Sequence, residues 1–147
     1  MNDNKNKTIL VIDNTESNLD MVRAILRDCD VIPCTSGGDA LKVVEEKQIH
    51  LILLNTHMPD MDGYTVCRKL KQNPNTQKIP IIFITAETDE KSIEKVYDLG
   101  GADYVTQPFK AKELLARVRV QLQVQEMIRE LDMMATRDVL TRVLTRK

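Results

Sequence analysis

The chain has 147 residues, 42% of them hydrophobic and 29% charged, with a formal net charge of -1. That composition fits one globular domain with some chain left over, and the balanced charge gives no overall pull toward nucleic acid or an anionic membrane. Neither apolar run, Ile9–Ile12 after the polar residues Met1 to Lys7 or Ile79–Ala86, is long enough for a signal peptide or a bilayer-spanning helix.

Apolar runs alternate with amphipathic stretches along the chain. Strands are predicted at Thr8–Ile12, Val31–Thr35, His50–Leu54, Ile79–Thr85 and Asp103–Val105. The first, third and fourth are nearly continuous Ile, Leu and Val, the pattern of strands covered on both faces. Helices are predicted at Glu16–Asp28, Asp39–Lys47, Tyr64–Gln72, Asp89–Leu99 and from Lys110 onward, each with apolar residues at helical spacing. Gly37-Gly38 and Gly100-Gly101 read as breakers between elements, and Pro74 as the stop of the third helix. Asp89 reads as a helix cap, and Pro108 sits where a missing N–H costs little.

Five β-then-α units imply an α/β fold: a flavodoxin-like five-stranded parallel sheet of order 2-1-3-4-5, with helices on both faces and an extended C-terminal helix. In such sheets functional groups gather beyond the carboxyl ends of the strands. That rule selects Asp13 and Asn14 after the first strand and Asn55 after the third. It also selects Thr85 and Ala86 after the fourth and Gln107 after the fifth.

The three cysteines, Cys29, Cys34 and Cys67, form no C-x-x-C pair. They read as small apolar residues in a reducing, cytoplasmic setting. His50 and His57 have no cysteine cluster beside them, so no zinc site is expected. Asp60 and Asp62 read as turn residues before Gly63, not as a metal site.

The stretches "TILVIDN", "LILLNTHMPDMDGYTVCRKLK", "IPIIFITA" and "GGADYVTQPFK" together resemble the receiver domain of bacterial two-component response regulators, over roughly Lys7 to Gln121. The resemblance implies an acidic pair after the first strand that helps hold Mg²⁺ and an aspartate after the third that takes a phosphoryl group. It also implies a Thr or Ser contact after the fourth strand, a lysine before a proline, and a switch aromatic, which falls on Tyr104. This sequence departs at three of those places. The acidic pair is Asp13-Asn14, the phosphoacceptor position is Asn55, and the lysine position is Gln107.

The departures are electrostatically consistent with one another. Asn55 has no free carboxylate with which to attack phosphorus. Two opposite charges ~4 Å apart interact by about 4 kcal/mol at an effective dielectric of roughly 20, so losing two carboxylates removes most of the attraction for Mg²⁺, whose binding is expected to be weak or absent. A single inactivating change would account for Asn55 but not also for Asn14 and Gln107. The expected result is a neutral cluster in which Asn14, Asn55 and Gln107 hydrogen-bond one another.

The last helix continues past the usual receiver boundary to about Thr136, with Val120, Val124, Met127, Leu131 and Met134 alternating in steps of four and three. That is a coiled-coil seam of about two heptads, and it predicts a parallel homodimer. The end of the chain, "RDVLTRVLTRK", resembles the entry to GGDEF diguanylate cyclase domains at Asp138, Leu140, Thr141 and Arg146, while Arg142, Thr145 and Lys147 depart from it. The sequence thus divides into a disordered N-terminus (1–7), a receiver-like domain (8–121), a helical coiled-coil linker (122–136) and the start of a GGDEF-like output domain (137–147). Lys110 to Lys147 carries nine Lys/Arg against five Asp/Glu. No recognition pattern accompanies that excess, so a solvated helix face is expected rather than nucleic-acid binding.

The expected function is a non-enzymatic, non-phosphorylatable signalling module. It would act through a protein partner or fused output domain, with a diguanylate-cyclase-type output. The rivals are an ordinary phosphorelay receiver carrying an inactivating asparagine and a small-molecule sensor built on the neutral cleft.

Overall fold

Burial of nearly every strand side chain sets the architecture of the computed structural model, which describes residues 6–86 and 89–145, with side chains of the last helix described through Met134. The elements are β1 (Thr8–Ile12), α1 (Glu16–Ile25), β2 (Asp30–Cys34), α2 (Gly37–Glu46), β3 (Leu51–Asn55), α3 (Gly63–Gln72), β4 (Ile81–Thr85), α4 (Glu90–Asp98), β5 (Asp103–Thr106) and α5 (Ala111–Thr145). The five strands pair in parallel in the order β2-β1-β3-β4-β5, the flavodoxin-like order the sequence predicts. Strand side chains alternate between two cores. Leu10, Ile12, Ile52, Leu54 and Phe83 pack with Ala40, Val66, Leu70 and Val96 of α2, α3 and α4. Ile9, Val11, Leu51, Leu53 and Ile84 pack with Leu19 and Val22 of α1 and Leu114, Val118 and Leu122 of α5. Each such side chain contributes roughly 1.5–3 kcal/mol when fully buried.

Element ends differ from the sequence prediction for local reasons. α1 stops at Ile25 rather than Asp28, because Leu26 leaves helical geometry and turns inward to be buried. β4 starts at Ile81 rather than Ile79. Pro80 has no N–H to give the ladder, and the carbonyls of Gln77 and Ile79 accept instead from Lys71 Nζ, both at 2.9 Å. Burial holds the Lys71 pKa below its ordinary value.

Gly37-Gly38 does not separate elements; both glycines lie in the first turn of α2, behind Ser36 as N-cap. A Cβ on Gly37 would stand 2.6 Å from Val66 Cγ2, so the close approach of α2 to α3 requires glycine there. Gly100 does end a helix as predicted, with φ +94 after α4. Asp89 caps α4 by accepting from Ser92 N. The cysteines are free, and burial pushes the Cys67 thiol up to about 11.

α5 holds the sheet through Arg117, whose Nη1 donates to both carboxylate oxygens of Asp103 at 3.0 and 2.8 Å. Contact with the domain continues beyond Gln121. Leu122 is buried, Gln125 Nε2 donates to the Lys78 carbonyl at 2.8 Å, and Glu126 pairs with Lys7 Nζ at 3.0 Å. Lys7, assigned by sequence to the frayed N-terminus, is therefore tied down, and its carbonyl also accepts from Asp30 N. The helix runs on to Thr145, beyond the end expected near Thr136. Met1–Lys5 lie outside the described residues, as do Arg146, Lys147 and the side chains of the GGDEF-like segment. Among the described residues, no helix is long and apolar enough to cross a membrane.

His50 Nδ1 accepts from the backbone N–H of Thr8 at 3.0 Å, at the start of β1. Burial, together with the charges of Lys7 and Arg129, holds its pKa below the ordinary 6.5. The unfolded chain therefore takes up this proton first. The stability contributed by neutral His50 is complete above the ordinary value and is lost as pH falls from there toward the lowered one. Thermal melts should show Tm falling as pH drops through the ordinary histidine value of about 6.5 and below it. His50→Gln, which keeps an acceptor for Thr8, should flatten that fall.

Candidate functional site

The carboxyl ends of β1, β3, β4 and β5 bring the residues selected from sequence to one end of the sheet. Ladder register places Ile12 beside Leu54, Asn55 beside Ile84, and Thr85 beside Thr106. Asp13 follows β1 directly and is only 1% exposed. Its N–H donates to the Cys34 carbonyl at 3.0 Å, which fixes the strand end. Its side chain is consumed locally. Oδ1 accepts from Thr15 N at 2.9 Å, and Oδ2 accepts from Asn18 Nδ2 at 3.1 Å.

Asn55 closes β3 and is buried. Its Oδ1 accepts from His57 N at 2.9 Å, so the amide folds over its own loop in an Asx turn. Asn14 is exposed, and Gln107 is half-buried with Nε2 enclosed and without a hydrogen-bond partner. Among the described hydrogen bonds, none joins Asn14, Asn55 and Gln107. In place of the expected three-amide cluster, the Asn55 oxygen is taken by a backbone N–H two residues ahead, which is reached at less conformational cost.

Thr85 is buried, and its carbonyl accepts from Gln107 N at 2.9 Å. Ala86 is exposed at the rim. Tyr104 is half-buried on β5 and meets the half-exposed Tyr97 edge to face, with ring centroids 6.3 Å apart. A second aromatic group sits one strand away, where Tyr64 stacks on Phe83 at 5.7 Å and Lys95 Nζ lies 4.1 Å from the Tyr64 ring centre.

The two acidic residues of the β3–α3 loop have separate structural tasks. Asp62 accepts from Thr65 N at 2.8 Å and caps α3. Asp60 reaches across to α2, where its oxygens accept from Gly37 N at 3.4 Å and Gly38 N at 3.3 Å. Desolvation opposes its ionisation, yet the Gly38 and Gly37 N–H groups hold the Asp60 carboxyl below its ordinary value. Sequence reading recovers the turn but not this bridge, which joins positions far apart in the chain. Asn18 was missed as well; its signal is its place in the first turn of α1, over the end of β1.

The donor set is poor for a hard divalent cation. Mg²⁺ takes oxygen ligands in near-octahedral array. Among the described residues, the strand ends offer the Asp13 carboxylate, already accepting two hydrogen bonds, and an asparagine whose oxygen faces a backbone N–H. Among the described residues, no three His, Cys, Asp or Glu side chains come together as a metal-holding group.

Comparison with known proteins places this geometry. The family model for the response regulator receiver domain matches residues 9–119. The protein of Vibrio cholerae named "Probable cyclic di-GMP phosphodiesterase" is 34% identical over 124 residues, 84% of this chain and 28% of that protein. The DNA-binding response regulator MtrA of Mycolicibacterium smegmatis is 37% identical over 126 residues, 84% of this chain and 54% of that protein. The signal receiver domain of an HD domain-containing protein from Pseudomonas fluorescens Pf-5 superposes with a TM-score of 0.77 at 25% identity, covering 83% of this chain and 98% of that one. The chain thus spans about half or less of the length of these curated relatives.

Gly63 sets the position of Asn55. A Cβ there would stand 2.3 Å from the Asn55 carbonyl oxygen and 2.9 Å from Thr56 Cα, both backbone atoms. Gly63→Ala should therefore cost about 3 kcal/mol in denaturant unfolding.

Proposed function

This chain belongs to the response regulator receiver domain family, and from that premise we propose that it is a signalling module switched by protein contacts and dimerisation rather than by phosphorylation. One observation carries the reading. Asn55 stands at the end of β3, where the family carries its acceptor, and its side-chain oxygen belongs to an uncharged amide already bound to His57 N. An amide oxygen is a far poorer nucleophile for phosphorus than a carboxylate. The surrounding charge supports the same conclusion. Among the described residues, Asp13 supplies the carboxylate at the end of β1, and Gln107 supplies no cation to balance a phosphoryl group.

The output side of the proposal rests on α5. At about 100° per residue, Leu114, Val118, Leu122 and Gln125 share one face of the helix and meet the domain. Val120, Val124, Met127, Leu131 and Met134 share the opposite face, and all five are at least 40% exposed. A helix with a second apolar stripe pointing away from its own core is suited to a parallel pairing with another copy. The tail's likeness to a GGDEF entry, and a relative whose name concerns cyclic di-GMP, support a diguanylate-cyclase-type output and a cytoplasmic setting. Tyr104, edge-on to Tyr97, is the proposed contact that reports state at the β5 face.

Incubation with acetyl phosphate and Mg²⁺ should leave the intact mass unchanged. A stable phosphoryl adduct on Asn55 or a neighbour would refute the reading. Asn55→Asp alone should recover little phosphorylation, since Asn14 and Gln107 remain; strong recovery would favour an ordinary phosphorelay receiver.

Light scattering should give roughly twice the monomer mass, and Val124→Glu or Leu131→Glu should halve it. A monomeric mass at high concentration in the unaltered chain would rule out pairing through this helix.

A further inference from the structure

A groove of about 650 Å³ lies at the opposite end of the sheet from Asn55, between α5 and the loops that lead into β3 and β4. Its apolar wall is Val44, Ile49, Ile79, Ile128 and Met133. Its polar rim carries Lys47, Lys78 and Arg129, with Asp132 as the carboxylate among the lining residues. That carboxylate is already engaged, 3.9 Å from Lys78 Nζ. His50 also lines the groove, and because its Nδ1 accepts from Thr8 N, the neutral ring carries its proton on Nε2 as a further donor. The rim therefore has an excess of positive charge and donors over an apolar floor.

We propose that this groove binds a small amphipathic anion, a molecule with a carboxylate or phosphate head and a compact apolar body. The volume falls in the range of small-ligand sites, roughly 300–1,000 Å³, which pair an apolar lining with a few convergent polar groups. Charge complementarity fixes the sign of the head group. A bound anion would bridge Arg129 on α5 to Lys47 and Lys78 on the loops. It would reinforce the ties from Gln125 to the Lys78 carbonyl and from Glu126 to Lys7, and so restrain the helix where it leaves the domain. The site does not involve Asn55. It also faces away from the exposed stripe of α5 that includes Val124 and Leu131, so ligand and helix pairing do not compete.

Titration of the full chain by amide NMR tests this, with octanoate, hexyl phosphate, hexanol and inorganic phosphate as separate probes. Octanoate or hexyl phosphate should shift the signals of Lys47–His50, Lys78–Ile79 and Gln125–Met133 saturably. Hexanol and inorganic phosphate should bind at least tenfold more weakly, and the tighter of the two amphiphiles identifies the head group. Arg129→Glu and Lys78→Glu should each weaken binding by about tenfold or more, while Lys91→Glu, an equal charge change on α4, should not. Equal shifts from hexanol would mark an apolar protein-docking face and overturn the proposal. Shifts confined to the Val120–Met134 stripe, or binding indifferent to Arg129→Glu, would overturn it as well.

Discussion

Asp13 is a buried carboxylate at the mouth of a parallel sheet, and the chain itself uses both of its oxygens. In a cleft with several carboxylates, some lone pairs stay unsatisfied until a cation arrives. Here the Thr15 N–H and the Asn18 amide take them, and Asn55 makes the same kind of bond to His57 N. The two strand ends at the switch point are thus closed by the same local device, a side-chain oxygen accepting from the N–H two residues on. Among the described residues, Asn14 and Ala86 are exposed beside these strand ends, and the half-buried Gln107 adds an uncharged amide. The strand ends that form the cleft are in place, with an amide at the end of β3 and another just after β5.

The rest of the molecule holds its shape without help from the cleft. The strands, the α2–α3 approach enforced by Gly37, the tight seat of Gly63 beneath Asn55 and the Arg117–Asp103 pair that fixes α5 to β5 do not depend on a metal or a phosphate. α5 extends beyond the sheet. Its inner face is tied down by Leu122, Gln125 and Glu126, and its outer face presents an apolar stripe. A helix held on one side and exposed on the other transmits orientation well, because a change at its base moves the whole exposed stripe together.

The sheet was legible because strands buried on both faces read as continuous Ile, Leu and Val, and because β-then-α alternation permits few topologies. The strand-end residues were legible for the same reason: topology alone selects Asp13, Asn55, Thr85 and Gln107. Errors arose where a tertiary contact overrode a local signal. Gly37-Gly38 has the composition of a breaker, yet it opens a helix, capped by Ser36 and with both N–H groups donating to Asp60 from across the chain. The Asn14–Asn55–Gln107 cluster failed because nearer backbone donors compete for the same oxygen. The Asp60 bridge to α2 and the groove beneath α5 depend on segments far apart in sequence, and no periodicity announces them. Lys7 looked like part of a loose end until Glu126, on the last helix, was placed beside it.

The most direct measurement is calorimetric titration of Mg²⁺ into the unaltered chain and into one carrying Asn14→Asp, Asn55→Asp and Gln107→Lys together. A cleft whose Asp13 carboxylate is already satisfied predicts no saturable heat from the unaltered chain and clear binding once the charges are restored. Tight, saturable magnesium binding by the unaltered chain would contradict it.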